Sequence, residues 1–150
     1  MTRLTRTDSF NNDFIKLVTR LDEFLANMDG REHDFYNKFN KIDKIKHVVV
    51  AYYGKMAVAC GAIKEYNTET MEVKRMFTSE EHRGKGLATK VLNELEIWAM
   101  ELGYSGCILE TGRRLPEAMK LYEKNGYRQI PNYGQYVQMG NSICFEKKLK

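Results

Sequence analysis

The stretch VKRMFTSEEHRGKGLATKVLNELEIWAMEL, residues 73–102, is the part of the chain that decides the fold. It starts as an apolar-rich strand, crosses a short polar turn and enters a basic loop that opens directly into an amphipathic helix. Gly84 and Gly86 carry no Cβ atom, so a ligand can approach the backbone and unusual φ values cost little. The first N–H groups of a helix lack intrahelical acceptors, and the helix dipole adds partial positive charge there. With Arg83 and Lys85 beside these groups, the loop predicts a binding site for phosphate or pyrophosphate.

Two common phosphate-binding motifs do not match this loop. A Walker-type loop needs a glycine five residues before a Gly-Lys-Ser/Thr sequence, and the chain has no such arrangement. A Rossmann fingerprint needs GxGxxG at the start of a βαβ unit, whereas this segment lies in the middle of the chain and does not contain that pattern. Since Arg-Gly pairs also occur in plain surface turns, the loop alone leaves a ligand site and a simple turn both open.

Two motifs together point to a family. Arg83-x-x-Gly86-x-Ala88, after a strand that ends in Phe77-Thr78, resembles the pyrophosphate-binding motif of the GNAT N-acetyltransferase superfamily. The second signature of that family is an alanine followed by Leu-Tyr and then by Gly-Tyr or Gly-Phe. Residues 118–127, AMKLYEKNGY, match it. Because the motifs occur in the family's order and cover about half of the chain, the protein is identified by resemblance as a member of this superfamily.

The resemblance implies a fold and a cofactor. The implied fold class is α/β (α+β): a mixed, mostly antiparallel sheet with a splayed parallel central strand pair and helices on both faces. The implied cofactor is acetyl-CoA. At 150 residues with 43% hydrophobic content, the chain is long enough for one domain with its own core, so we expect a single domain over residues 1–150.

The apolar pattern predicts where the elements lie. Alternating or continuous apolar runs bounded by turn residues predict strands at residues 4–7, 47–53, 56–66, 71–78, 107–111, 127–130 and 142–148. Apolar residues at helical spacing predict helices over residues 13–28, ended by Gly30, and over residues 31–40. A further helix follows the basic loop and ends before Gly103, and its apolar face is formed by Leu87, Val91, Leu95, Trp98 and Leu102. A last helix runs from Pro116 to Gly126.

The resemblance also implies which residues bind the cofactor. Backbone groups of Met76, Phe77 and Thr78 are expected to contact the pantetheine arm and the thioester, with the Met76 amide as oxyanion donor. The segment expected to bind the pyrophosphate comprises Arg83, Gly84, Lys85, Gly86, Leu87 and Ala88.

The catalytic acid and base are expected to be a tyrosine and a carboxylate. Tyr122 matches the family tyrosine that lies near the sulfur and protonates the departing thiolate, and an unperturbed phenol with a pKa of ~10 stays protonated at neutral pH. Without the motif, Tyr122 would be interpreted as a half-buried helix aromatic. The base is left open between Glu72, Glu110 and a chain of waters. Either carboxylate could instead only pair with Lys74 or Arg75.

One position departs from the family pattern. Many relatives have an asparagine three residues before the alanine of the second motif, where it contacts the cofactor or caps the helix, but this chain has Leu115. Arg113 and Arg114 could reach a CoA phosphate in its place, or they could be solvated.

The acceptor is expected to be a primary amine of a small molecule or a peptide. Candidate pocket residues are His33, Tyr36, Tyr133 and Tyr136, but aromatic side chains suit many amines, so the acceptor is not specified by the sequence.

Composition argues against nucleic acids, membranes and metals as partners. The net charge of +4, from 24 basic and 20 acidic residues, is too mild to predict nucleic-acid binding, and the basic patch of Lys38, Lys41, Lys44 and Lys46 is diffuse. No stretch approaches the ~20 apolar residues of a membrane span and the N-terminus is polar, so we expect a soluble, cytoplasmic protein without a membrane partner. The three cysteines, Cys60, Cys107 and Cys144, lack disulfide or zinc spacing, which predicts buried, reduced thiols and no metal site.

These observations leave three functional hypotheses. The leading one is an acetyl-CoA-dependent N-acetyltransferase that works by direct transfer in a ternary complex. The alternative is a non-catalytic module that binds CoA or acetyl-CoA, and the third is nucleic-acid binding. Homodimers are common in the family, so a homodimer is an expectation that rests on the resemblance alone.

Overall fold

The computed structural model describes residues 1–29 and 44–149. For residues 28 and 29 it describes the backbone only. The predicted helix over residues 31–40 lies outside the described residues. Gly30, the candidate pocket residues His33 and Tyr36, and the basic residues Lys38 and Lys41 lie outside them as well.

The described part of the chain forms a seven-stranded mixed sheet and three α-helices. The elements in chain order are β1 (Thr2–Thr7), α1 (Asn12–Asp29), β2 (His47–Tyr53), β3 (Met56–Asn67), β4 (Thr70–Thr78), α2 (Leu87–Glu101), β5 (Gly106–Gly112), α3 (Pro116–Lys124), β6 (Arg128–Ile130) and β7 (Ser142–Lys148). The strand order is β1-β2-β3-β4-β5-β7-β6, with β4 and β5 parallel. The predicted fold class is therefore confirmed.

Backbone contacts divide the chain into two compact units. The first contains Met1–Lys64 and Lys74–Leu95, and the second contains Glu65–Val73 and Glu96–Lys150. The expectation of a single domain stays a prediction, and the units are described separately below.

The first unit is built on the apolar stripe of α1. Phe14, Leu17, Val18 and Leu21 recur at helical spacing and pack in one cluster with strand residues such as Val48, Val50, Cys60, Ala62 and Phe77. The helix begins where the side chain of Asn11 accepts a hydrogen bond from the Phe14 N–H at 2.9 Å. This bond satisfies one of the N–H groups that a helix start leaves unpaired, so a polar residue fixes the end of the apolar stripe.

The hairpin between β2 and β3 is set by its turn residues. Gly54 has φ of +62°, a conformation that glycine adopts without steric cost, and Tyr53 pairs with Met56 across the turn. The alternation of β2 then places Val48 and Val50 in the α1 cluster.

The buried face of α2 differs from the predicted one. Leu87, Val91 and Leu95 are buried as predicted, but Trp98 is only partly buried and Leu102 is 43% exposed. The buried stripe is rotated around the helix toward Leu92, Glu96 and Ala99, and Leu102 follows the last helical residue. A run of apolar spacings identifies the helix, but tertiary packing decides which of several overlapping stripes is covered.

The second unit contains the parallel strand pair. Residues 70–72 of β4 pair with residues 106–108 of β5, and the pairing covers three residues although β4 continues to Thr78 and β5 to Gly112. The splaying of this pair stays a prediction. β7 pairs with β5 along its whole length and with β6 on its other edge. Helix α3 begins at Pro116 and is followed by Gly126 at φ of +91°, as predicted.

Candidate functional site

The basic loop of the first unit leaves its backbone uncovered. Gly84 and Gly86 have φ of +79° and +77°. Apart from the adjoining residues, no heavy atom of residues 1–29 and 44–149 lies within 4 Å of where a Cβ would stand at either position. The amide of Lys90 bonds to the Gly86 carbonyl at 3.1 Å, so the amides of Leu87 and Ala88 precede the first intrahelical bond of α2. Amides without intrahelical acceptors at the start of a 15-residue helix fit a pyrophosphate group.

Ser79 anchors the start of this loop. Its N–H donates to the carbonyl of Val58 on β3 at 2.8 Å, and its hydroxyl donates to the Glu81 carboxylate at 2.8 Å. The side chain of Arg20 on α1 lies 3.4 Å from the same hydroxyl. Ser79 is almost fully buried, and sequence reasoning did not identify it because a serine in a polar turn carries no local sign of burial.

The Arg83 side chain turns back from the loop. Its Nε donates to the carbonyl of Thr78 at 3.1 Å, and its guanidinium lies 5.5 Å from the centroid of Phe24 and 6.0 Å from that of Phe77. In this conformation Arg83 braces the end of β4, and its contact with a pyrophosphate stays a prediction. Lys85 is exposed.

A pocket of about 240 Å³ lies in the first unit beside this arginine. Its lining combines two cations, two carboxylates, an amide and two aromatic rings, namely Arg20, Arg83, Glu23, Glu80, Asn27, Phe24 and Phe77. Because positive and negative side chains are equal in number, the net charge of the lining favours neither a simple anion nor a simple cation.

Strand β4 is irregular immediately before the predicted oxyanion donor. Arg75 has φ of +59°, which is uncommon for a residue with a Cβ. The side chain of the following residue, Met76, lies against Gly61 beside Val91 and Leu95, so only the backbone of Met76 is a candidate for catalysis. The roles of Met76, Phe77 and Thr78 toward the thioester stay predictions.

The buried guanidinium of Arg75 is paired with Asp22 of α1. Arg75 thus has a carboxylate partner other than Glu72 and Glu110. The Nε and Nη1 atoms of Arg75 are buried and make no hydrogen bond in the described part of the chain.

In the second unit, Glu72 accepts a hydrogen bond from the Tyr133 hydroxyl at 2.6 Å. The Tyr133 ring also makes edge-on contacts with Tyr66 and Tyr136, at centroid distances of 5.2 and 5.7 Å. Burial, followed by the charge of Glu72, raises the pKa of Tyr133, so its phenol keeps its proton at neutral pH. Both residues are candidates from the sequence, but residues 61 positions apart carry no local sign that they pair.

Tyr122 is more buried than its sequence predicts. It is 6% exposed and packs against Tyr127 and Phe145, at centroid distances of 5.8 and 6.2 Å. Burial, and then the nearby charge of Glu110, raise the pKa of Tyr122 above that of the unperturbed phenol assumed from the sequence. The side chain is therefore a persistent hydrogen-bond donor and a weaker acid than expected.

Glu110 lies within the second unit, opposite Cys144 in the β5–β7 register. Its charge contributes to raising the pKa values of Tyr122 and Tyr136, and Glu72 also contributes at Tyr136. The structure thus brings both candidate carboxylates into one electrostatic cluster with these tyrosines.

The position that departs from the family pattern is the N-cap of α3. Leu115 occupies it and makes no side-chain capping hydrogen bond. The Nε of Arg113 donates to the Gly140 carbonyl at 2.6 Å, so this guanidinium braces the loop before β7. Contact of Arg113 or Arg114 with CoA stays a prediction.

The three thiols are free and buried, as predicted. Burial raises the pKa of Cys60 and of Cys107 to about 12, and that of Cys144 to about 11. Thiols of this kind are poor nucleophiles because the thiolate is the reactive form.

No helix in the described part of the chain is long and apolar enough to cross a membrane.

Comparisons with known proteins identify the family and the fold. The model of the acetyltransferase (GNAT) family matches residues 12–127. The chain is 38% identical to the uncharacterized N-acetyltransferase YsnE of Bacillus subtilis over 101 residues, which are 66% of this chain and 67% of YsnE. A Klebsiella pneumoniae structure assigned as an acyl-CoA N-acyltransferase superposes with a TM-score of 0.84 at 27% identity, covering 100% of this chain and 99% of the other. The PaiA N-acetyltransferase of Thermoplasma acidophilum, solved in complex with coenzyme A, shares the fold with a TM-score of 0.72 at 16% identity and 99% coverage of both chains. The chain belongs to the GNAT family of acetyltransferase enzymes.

Proposed function

We propose that this enzyme transfers the acetyl group of acetyl-CoA to a primary amine of a small molecule or a peptide, by direct transfer in a ternary complex. The observation that carries the proposal is the uncovered backbone at Gly84 and Gly86 in front of α2, in a chain of this family. The coenzyme A complex of the Thermoplasma relative supports the same cofactor class.

Binding of acetyl-CoA is assigned to backbone amide groups. The amides of Gly84, Gly86, Leu87 and Ala88 would hold the pyrophosphate, because oriented N–H groups at a helix start attract anions. Acetyl-CoA supplies an activated thioester, so the chain has only to position it, remove protons from the amine and stabilise the charges that develop. The Met76 amide is the proposed donor to the carbonyl oxygen of the thioester.

Proton transfer is assigned to side chains of the second unit. An alkylamine has a pKa of ~10.4 and arrives protonated, so a carboxylate, Glu72 or Glu110, accepts a proton directly or through water. The nitrogen then bonds to the acetyl carbon while the carbon–sulfur bond breaks, and its second proton, passed directly or through water, replaces the one that Tyr122 gives up. Tyr122 donates to the departing thiolate. The net products are the acetylamine, CoA thiol and one proton released to solvent.

A matched pair of glycine variants tests the loop. Gly86→Glu places a side chain and a negative charge at the proposed pyrophosphate site, and we expect it to abolish the rise in melting temperature that CoA causes in the wild type. Gly54→Glu makes the same change at a turn glycine with φ of +62° and equally open surroundings, so it controls for backbone strain. A folded Gly86→Glu protein with wild-type affinity for CoA would refute the loop assignment.

A turnover assay distinguishes an acetyltransferase from a non-catalytic module that only binds CoA. The assay follows release of free thiol from acetyl-CoA in the presence of a panel of amines. We expect thiol release that depends on the amine, with an equal amount of acetylamine formed. Tight acetyl-CoA binding without amine-dependent release would support the alternative, a non-catalytic CoA-binding module.

A further inference from the structure

We propose that Arg75 binds a carboxylate of the acceptor, so that the acceptor is an amine that also carries a carboxylate group, as an amino acid does. In this proposal the side chain of Asp22 occupies the carboxylate position until the acceptor replaces it. The inference rests on the proposed acetyl transfer and names the class of acceptor that it leaves open.

The first observation is that the guanidinium of Arg75 is buried with most of its donors unused. The Arg75 side chain is 1% exposed, and its Nη2 pairs with Oδ1 of Asp22. Nε and Nη1 are buried and make no hydrogen bond within residues 1–29 and 44–149. Buried donors in native proteins almost always have an acceptor, and Nε and Nη1 carry most of the N–H donors of an arginine. The guanidinium is therefore suited to more acceptor oxygens than Asp22 provides.

The second observation is that Asp22 is the exposed member of this pair. Its side chain is 42% exposed, and its carboxylate reaches a single nitrogen of the buried guanidinium. The Asp22 carboxylate can therefore turn into solvent and leave Nη2 to another carboxylate. Because one carboxylate replaces another, the buried charge of Arg75 stays balanced, which avoids the large cost of leaving such a charge without a partner.

A ligand carboxylate can form a better pair than Asp22 does. A guanidinium and a carboxylate form two parallel N–H···O bonds where both groups are free to orient. Asp22 is tethered to α1 and reaches only Nη2, whereas an untethered carboxylate can bond to Nη2 and Nη1 together. The ligand then satisfies a buried donor that has no acceptor in the described part of the chain, and this bond favours the exchange.

The place of Arg75 in β4 connects the pair to the proposed reaction. Arg75 directly precedes Met76, whose amide is the proposed donor to the thioester oxygen. Its backbone has φ of +59°, and its carbonyl accepts a hydrogen bond from the Cys60 thiol at 3.4 Å. Residues with a Cβ that are held in such a conformation are concentrated at functional sites. A carboxylate bound by Arg75 would lie on the α1 side of β4, one residue from the group that would activate the thioester.

The first test compares acceptors that differ only at the carboxylate. Each amino acid is assayed for thiol release from acetyl-CoA beside its carboxamide and beside the amine that lacks the carboxyl group. We expect at least one amino acid to exceed both counterparts in kcat/KM by about tenfold or more, the usual worth of hydrogen bonds to charged groups. If no amino acid exceeds its two counterparts, the proposal is wrong.

Two variants show whether Arg75 causes this preference. Arg75→Lys keeps the charge and loses the planar fork, so we expect the preference to fall about tenfold while turnover of the decarboxylated amine is retained. Asp22→Asn removes the competing carboxylate, so KM should fall severalfold for the amino acid and stay unchanged for its carboxamide. Glu94→Gln is the matched control, because it removes the carboxylate of another arginine pair in the first unit, Arg6 with Glu94, and should change neither KM.

The Asp22 variant also decides against a purely structural pair. If the pair only ties α1 to β4, Asp22→Asn loses stability and treats the amino acid and its carboxamide alike. An unchanged or higher KM for the amino acid in folded Asp22→Asn would contradict the proposal, and this result does not depend on whether Arg75→Lys folds.

A binding measurement separates this inference from the proposed function. With CoA in place of acetyl-CoA no transfer occurs, and the preferred amino acid should raise the melting temperature of Asp22→Asn more than that of the wild type. Thiol release with amines in general, without the carboxylate preference and without this shift, would refute the inference and leave the acetyl transfer standing. No thiol release with any amine would refute the acetyl transfer and the acceptor class with it, while the melting shift would still report whether Arg75 binds a carboxylate.

Discussion

At the scale of single residues, burial determines what each ionisable group can do. Tyr122 and Tyr133 are both phenols whose pKa values are raised by burial first and by a neighbouring carboxylate second. One donates to Glu72, and the other is the proposed donor to the thiolate. Both therefore act as hydrogen-bond donors that remain protonated, and neither is suited to act as a base at neutral pH.

Tyr122→Phe tests the proposed donor to the thiolate. An interaction that strengthens as negative charge develops on sulfur should lower kcat and leave acetyl-CoA affinity nearly unchanged. We expect a loss of ~10²–10⁴-fold in kcat, the usual range for general acid catalysis. Steady-state kinetics, binding and melting temperature are to be measured together, with Tyr53→Phe on the exposed end of β2 as the control. Wild-type kcat in folded Tyr122→Phe, with chemistry rate-limiting, would leave Tyr122 a purely structural aromatic.

At the scale of elements, close approach between β3 and α2 depends on one glycine. A Cβ at Gly61 would overlap the sulfur of Met76 and would stand 2.9 Å from Leu95 Cδ1 and 3.0 Å from Val91 Cγ1. Gly61 therefore allows Met76 and the helix side chains to lie directly over the strand, immediately after the irregular residue Arg75. Packing around Gly61 thus brings Met76 of β4 into contact with α2, the helix that follows the basic loop.

Gly61→Ala should consequently destabilise the protein. Overpacking of a filled core typically costs ~1–3 kcal/mol, and two of the neighbours are branched side chains with little freedom to move. The measurement is urea unfolding of Gly61→Ala beside Gly140→Ala. Apart from its chain neighbours, the added methyl of Gly140→Ala would meet no atom within 4 Å in the described part of the chain. Equal stability of the two variants would show that the neighbours of Gly61 rearrange without cost.

At the scale of the whole molecule, the buried thiols make stability depend on pH. The folded pKa of Cys60 is raised from 9.0 to about 12 by burial, so the folded state retains a proton that the unfolded chain loses above pH 9. The resulting stabilisation is complete below pH 9 and is lost progressively as the pH rises from there toward 12.

The unfolding free energy should therefore fall between pH 8 and pH 10. Cys60→Ala removes one contributing thiol, and we expect that fall to shrink by about 1.4 kcal/mol, the value of one proton released on unfolding over about one pH unit. Urea unfolding of both proteins at the two pH values provides the measurement. Comparing the fall in unfolding free energy between the two pH values removes any pH-independent loss of stability caused by the small cavity in Cys60→Ala. An equal fall in both proteins would contradict the assigned burial of this thiol.

The sequence by itself determined the elements and the family. Strand alternation, helical spacing and turn residues such as Gly54, Pro116 and Gly126 act over a few residues, so the order and approximate bounds of the elements could be predicted. The two family motifs are also short and contiguous, which is why the basic loop and Tyr122 could be named as candidates before any contact was known.

Only the tertiary structure decided which side chains meet. The hydrogen bond of Tyr133 with Glu72 joins residues 61 positions apart, and the pair of Arg75 with Asp22 joins residues 53 positions apart. Glu96 occupies a helix position that its sequence does not distinguish from a solvated one, yet it is buried and accepts hydrogen bonds from Tyr127 and Lys147. The physical reason is that local spacing sets backbone conformation, whereas burial, pKa and pairing depend on groups brought together from distant parts of the chain, where no local pattern records the partner.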